Sequence, residues 1–202
     1  MSSPPGAYYT EERWHNWLDR LREETIDPED EESARLLLNL QDDTAIAVAK
    51  ILTDYEDTAA GELDPDDDAY LEEETALEEL EGIRETVLAE AELGDEDAEM
   101  LLEGVQTALM CVFYTAEEYV VSGPAESGTV PGYVEAAAEA EQSEEIDDAL
   151  ELCVQAGTLI ISGVELEPEI VEDLEFGLVA EWVNGLDSLQ TALEDPEVVE
   201  DE

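Results

Sequence analysis

Apolar positions along this chain recur with the period of an α-helix. Trp14, Trp17, Leu18 and Leu21 fall at i, i+3, i+4 and i+7, which is one helical face. Leu37, Leu40, Gln41, Thr44, Val48, Ile51 and Tyr55 line a second face over five turns, widened by Leu36, Ile46 and Ala47. A third carries Tyr70, Leu71, Leu77, Leu80, Ile83, Val87 and Leu88. Ile146, Ala149, Leu150, Cys153, Ala156, Leu159 and Ile160 make another, and Ile170, Leu174, Leu178, Trp182, Leu186, Leu189 and Leu193 the last. Runs of Val, Ile and Thr with period two are missing, so no strand is predicted.

One stretch departs from the striped pattern. Gly104–Ala116 carries no charge, and its apolar groups point to all sides of a helical wheel. With Met100 and Leu101 before it and Tyr119, Val120 and Val121 after it, the run amounts to about six turns, roughly 30 Å. A helix apolar all round has to be buried. The pattern therefore predicts an all-α, single-domain bundle of six or seven helices around a buried central helix at about 95–122.

Punctuation residues place the boundaries. Thr10 caps the first helix, with Glu11 and Glu12 in its first turn. Asp27-Pro28 and Asp64-Pro65 are start signals for the second and third helices, and Glu167-Pro168 opens the seventh. Gly94 ends the third helix, and Gly123-Pro124 stops the central one. The segment 122–132, rich in glycine and proline, is expected to be a flexible loop. A short helix at about 133–141 follows, and Ser143 caps the sixth. Residues 1–9 read as a tail, 10–194 as one helical domain, and 195–202 as an acidic tail.

Composition adds the solvent. Among 202 residues, 59 Asp and Glu face 6 Lys and Arg, for a net charge of −53, yet 44 % of the chain is hydrophobic, enough for a core. Such charge repels itself in dilute buffer. At molar salt the Debye length falls to about 3 Å and most of the repulsion is screened. With Lys50 the sole lysine and acids spread over the whole length, the chain reads as a cytoplasmic protein of an organism with salt-rich interior. All six bases (Arg13, Arg20, Arg22, Arg35, Lys50 and Arg84) precede residue 85. Neither a secretory signal nor an apolar run of about 20 residues is found, so no membrane association is expected. Cys111 and Cys153 lie in the two most apolar helices and read as buried thiols.

Most chemistry fails at the level of residue inventory. His15, the single histidine, has Asp19 at i+4 but no accompanying nucleophile, and reads as a surface residue. One histidine cannot build the helical di-iron pattern or a Cys/His zinc site. Asp64, Asp66 and Asp68 match positions one, three and five of a calcium loop, but Ala69 replaces the glycine and Thr75 the bidentate glutamate. Gly123–Gly128 lacks the Lys-Ser/Thr of a phosphate loop. A basic patch for direct nucleic-acid contact is hard to build from six bases. No catalytic residue, metal or cofactor is assigned.

Two groups remain. Arg13, Trp14, Trp17, Arg20 and Arg22 put the residue types of binding hot spots on one helix, where they form either a partner-facing cluster or a set of core anchors and local ion pairs. Asp42 and Asp43 lie in an apolar stretch and are candidates for buried acids with raised pKa.

Tyr8–Trp14 and Ala34–Ile51 together resemble an uncharacterised family of acidic haloarchaeal proteins, a domain of unknown function. The resemblance covers most of the chain and brings no activity with it. The leading expectation is a non-enzymatic protein that binds an unidentified protein partner through the Arg13–Arg22 helix and the 122–132 loop; a homodimer is compatible with it. The alternatives are a decoy that presents carboxylates to a basic nucleic-acid-binding protein, and an enzyme that uses buried carboxylates beside His15 in an interhelical pocket.

Overall fold

The computed structural model describes residues 8–194, all of whose regular structure is helical. Eight helices follow one another: α1 (Glu11–Glu23), α2 (Glu31–Ala59), α3 (Glu73–Val87), α4 (Glu96–Ser122), α5 (Val130–Gln142), α6 (Ile146–Ile161), α7 (Pro168–Asp173) and α8 (Leu178–Glu194). The expected all-α bundle is present, with one helix more than expected. The seventh predicted helix is two, α7 and α8. Glu141 of α5 explains the break, because its carboxylate accepts the Leu178 N–H at 2.6 Å and the Val179 N–H at 3.4 Å and so caps a fresh helix start.

Local capping decides the other boundaries. Thr10 caps α1 by accepting from the Arg13 N–H at 3.1 Å. The start signals at Asp27 and Asp64 make turns instead of helix starts. Asp27 accepts from the Glu29 N–H, while Asp30 accepts from the Ser33 N–H and caps α2. Asp64 donates its N–H to Asp67, and the chain stays in turns until Glu73. That linker is pinned to α2 where the Leu71 N–H donates to Thr58 Oγ1 at 2.8 Å. Ser143 ends α5 rather than starting α6. Gly94, placed at the end of the third helix by its sequence, falls six residues beyond Leu88, the C-cap of α3. Tyr8 and Tyr9, read as part of a tail, are anchored: Tyr9 is buried and Tyr8 donates to Asp54 at 2.7 Å. The acidic tail 195–202 lies outside the described residues.

Helix α4 is the spine. Between Gly104 and Ala116 Tyr114 alone is exposed. Helices α2, α3, α6 and α8 all pack against it. Its Leu102, Leu109, Val112, Phe113, Ala116 and Val120 join one apolar cluster with α1, α2 and α3, and its Cys111 joins a second with α5, α6 and α8. Helix α8 comes so near to α4 that a Cβ on Gly185 would overlap the Ala108 carbonyl. Backbone cannot give way as a flexible side chain can. Gly185→Ala is therefore expected to lower stability by about 2 kcal/mol, overpacking outweighing the roughly 1 kcal/mol helix gain of alanine. Chemical denaturation measures it; an unchanged or higher midpoint would mean that the two helices separate freely.

Segment 122–132 is shorter as a loop than expected. Thr129 caps α5 by accepting from the Gly132 N–H, and Pro131 sits in the first turn. What remains, 123–129, is tied down by the Ala125 N–H on Thr158 and the Tyr133 hydroxyl on the Ser127 carbonyl. Among the described residues no helix is long and apolar enough to cross a membrane.

Candidate functional site

The two groups of residues singled out in the sequence converge on one carboxylate. Asp43 is buried on α2, within reach of side chains from α1. Arg13 reaches it with both Nε, at 2.9 Å, and a terminal guanidinium nitrogen, and Trp17 donates its indole N–H to the same carboxylate at 2.9 Å. The Arg13 guanidinium also lies over the Tyr9 ring, 5.3 Å from its centre. A buried carboxylate is tolerated where charge-assisted donors satisfy it. Asp43 is thus an anchor that holds α1 on α2, and its oxygens are already engaged.

The rest of the Arg/Trp group divides between core and surface. Trp14 is buried. Arg20 is exposed and stacks on Trp17 at 4.6 Å. Arg22 pairs with Asp19 at 2.9 Å and donates to the Glu92 carbonyl, which ties α1 to the connection before α4. Arg20, Arg22 and the edge of Trp17 face outward, as does the part of the Arg13 side chain that Asp43 and Tyr9 leave uncovered.

Asp42 is half-buried between α2 and α8. Burial raises its carboxyl above the ordinary range, the Ser188 hydroxyl pulling the other way, and its charge helps to raise Asp187. His15 lines an open groove of about 790 Å³ with Glu11, Arg22, Glu85 and Glu92, and neither Asp42 nor Asp43 reaches it. The histidine Nδ1 is 2.7 Å from the Glu11 carbonyl. The pairing of a buried acid with His15 that acid–base chemistry would need is not assembled.

A second groove, of about 560 Å³, was not legible in the sequence. Its floor is α4 and its walls are α3 and α6. Leu77, Tyr114, Val121, Leu150 and Val154 supply an apolar surface, with Tyr114 38 % and Val121 61 % exposed. Glu117, Glu118, Asp147 and Glu151 stand around it. Arg84 lies 5.6 Å from the centre of the Tyr114 ring and pairs with Glu117 at 2.9 Å. Tyr114 belongs to the uncharged run that reads as buried on every side; the adjacent Glu117 and Glu118 were the signal that this face opens to water.

Cys111 and Cys153 are both free and buried, as expected. Burial pushes the Cys111 thiol up to about 12, and Cys153 is raised by burial and by its neighbour Cys111.

Five carboxylates, Asp42, Asp54, Glu117, Glu181 and Asp187, are raised chiefly by burial. A raised folded-state pKa means that the native chain binds the proton more tightly than the unfolded one. The contribution of these groups is full below the ordinary carboxylate range near pH 4 and is lost as pH rises through the raised values. At constant molar salt, the urea midpoint is expected to be higher at about pH 4.5, near the ordinary carboxylate range, than at about pH 7.5. A midpoint that climbs across that interval would contradict this.

Fold and grooves together define a helical protein with an anchored first helix and an uncovered apolar cleft. The chain belongs to the family described as "Uncharacterized protein conserved in archaea (DUF2150)", which matches residues 7–202. No curated protein and no solved structure matches it.

Proposed function

We propose that this is a non-enzymatic, cytoplasmic protein of a salt-rich cell that acts by binding another protein, and that the cleft between α3 and α6 is its contact region. The observation that carries this reading is the uncovered apolar floor of the cleft. Apolar patches bordered by charge on an otherwise polar surface mark interaction sites. In a chain with 59 carboxylates, leaving Tyr114 and Val121 in contact with water needs a reason that solubility does not supply.

The exposed part of α1, Arg20 stacked on Trp17, is the other contact region this reading admits. Immobilised protein in molar KCl is expected to retain from native lysate a partner that Val121→Asp loses and Arg20→Glu keeps. The opposite pattern moves the contact to α1, and recovery of no partner sinks the reading. Retention that collapses steeply with added salt would favour the carboxylate decoy instead.

The salt-rich setting has its own test. With 53 net negative charges, thermal stability should climb as KCl rises from millimolar to molar and the repulsion is screened. Equal Tm at both ends would remove the salt adaptation from the proposal.

A further inference from the structure

The nature of the occupant follows from the shape and charge of the cleft; this step rests on reading the cleft as a docking site. Tyr114 and Val121, seven residues apart on α4, span about 10 Å of floor. On α6, Leu150 and Val154 repeat at i and i+4 along one wall, and Leu77 of α3 closes the other. An apolar slot about two turns long between two helices suits the i, i+3/4, i+7 anchors of a third helix.

Charge selects among helices. Asp147 and Glu151 run beside Leu150 and Val154 with the same helical spacing, both exposed, and Glu118 stands on the α4 side. The base at this site, Arg84, is committed to Glu117 and the Tyr114 ring. None of Glu118, Asp147 and Glu151 has a cationic partner in an ion pair among the described residues. In molar salt only charges at contact range act on each other, so these three count while the distant acids do not. A second copy of this chain is a poor occupant. It brings 59 acids and 6 bases, and the one helix rich in arginine, α1, turns its apolar stripe into its own core.

We infer that the cleft receives one amphipathic helix of a partner protein, with an apolar stripe on the floor and lysine or arginine flanks against Glu118, Asp147 and Glu151.

The test uses the full chain and labelled peptides of about four turns. All share one leucine stripe and differ only in flanks of lysine, glutamine or glutamate. Fluorescence anisotropy in molar KCl is expected to show the lysine peptide binding at least about tenfold tighter than the glutamine peptide. Val121→Asp should abolish binding, and Asp147→Lys with Glu151→Lys should invert the order of the peptides. Equal affinity of lysine and glutamine peptides, both lost with Val121→Asp, would overturn the basic occupant and leave the docking cleft standing. Binding of the lysine peptide that survives Val121→Asp would place it elsewhere on the acidic surface and overturn the inference, as would failure of every peptide. Sedimentation as a dimer that Val121→Asp dissociates would make the occupant a second copy.

Discussion

Replacing Phe113 by alanine is expected to lower the stability of this protein by about 4 kcal/mol, near the upper end for a single core truncation. Phe113 has no exposed surface and sits in the second half of α4, in the larger apolar cluster. Its removal forfeits the ring's burial and leaves a cavity between helices already in contact on several sides of the spine, so little collapse is available. A loss of that size corresponds to a Tm lower by roughly 10 °C. The same measurement reports on domain organisation. Trp14 and Trp17 belong to the cluster around α1 and α2, and Trp182 to the cluster around α6 and α8. Because α4 supplies side chains to both, a single cooperative unit requires the two sets of indoles to report one shifted transition. A loss under about 1 kcal/mol would deny α4 its place as the spine. Two separate transitions would divide the chain into two units.

The second large effect is expected at Asp43. Asp43→Ala removes the acceptor shared by Arg13 and Trp17 and should lower stability by about 3 kcal/mol. The cost stays below that of a fully buried ion pair because Arg13 is 38 % exposed, so water can solvate part of its guanidinium. Trp17, half-covered, has less chance to recover its bond. Asp43→Asn keeps one acceptor oxygen and should fall about midway. A double variant, Arg13→Met with Asp43→Leu, should recover only the part of the loss that comes from the unpaired Arg13 charge, because the Trp17 indole N–H still lacks its acceptor. Urea unfolding followed by tryptophan fluorescence measures all four chains. If Asp43→Ala were as stable as wild type, the carboxylate would not be what holds α1 to α2.

Helical periodicity, the spine and the absence of strand patterns were legible because burial repeats with the period of the element that carries it. The same logic misplaced Tyr114. A residue in an uncharged run is buried only if a neighbour covers it, and coverage depends on how far apart α3 and α6 stand on α4. The proline signal at Asp27 marked a turn because the side-chain oxygen that caps α2 belongs to Asp30, three residues later, and the one at Asp64 marked a turn closed by the Asp67 carboxylate. The break before α8 had one local signal, Gly177 immediately before Leu178, but the group that caps the new start, Glu141, is 37 residues upstream of Leu178 and out of reach of any local rule.

Arg13, Trp17 and Asp43 show the division most clearly. Each was singled out from sequence for its chemistry, but as two unrelated candidates, one for a partner and one for an acid. Folding spends them on each other, because a carboxylate without water finds its lowest free energy beside the nearest charged donor. The sequence alone determined the helical architecture and the acidic surface, which are properties of local period and of composition. Tertiary structure decided which polar groups remain free and which apolar ones stay uncovered, because both depend on the distance between helices remote in the chain.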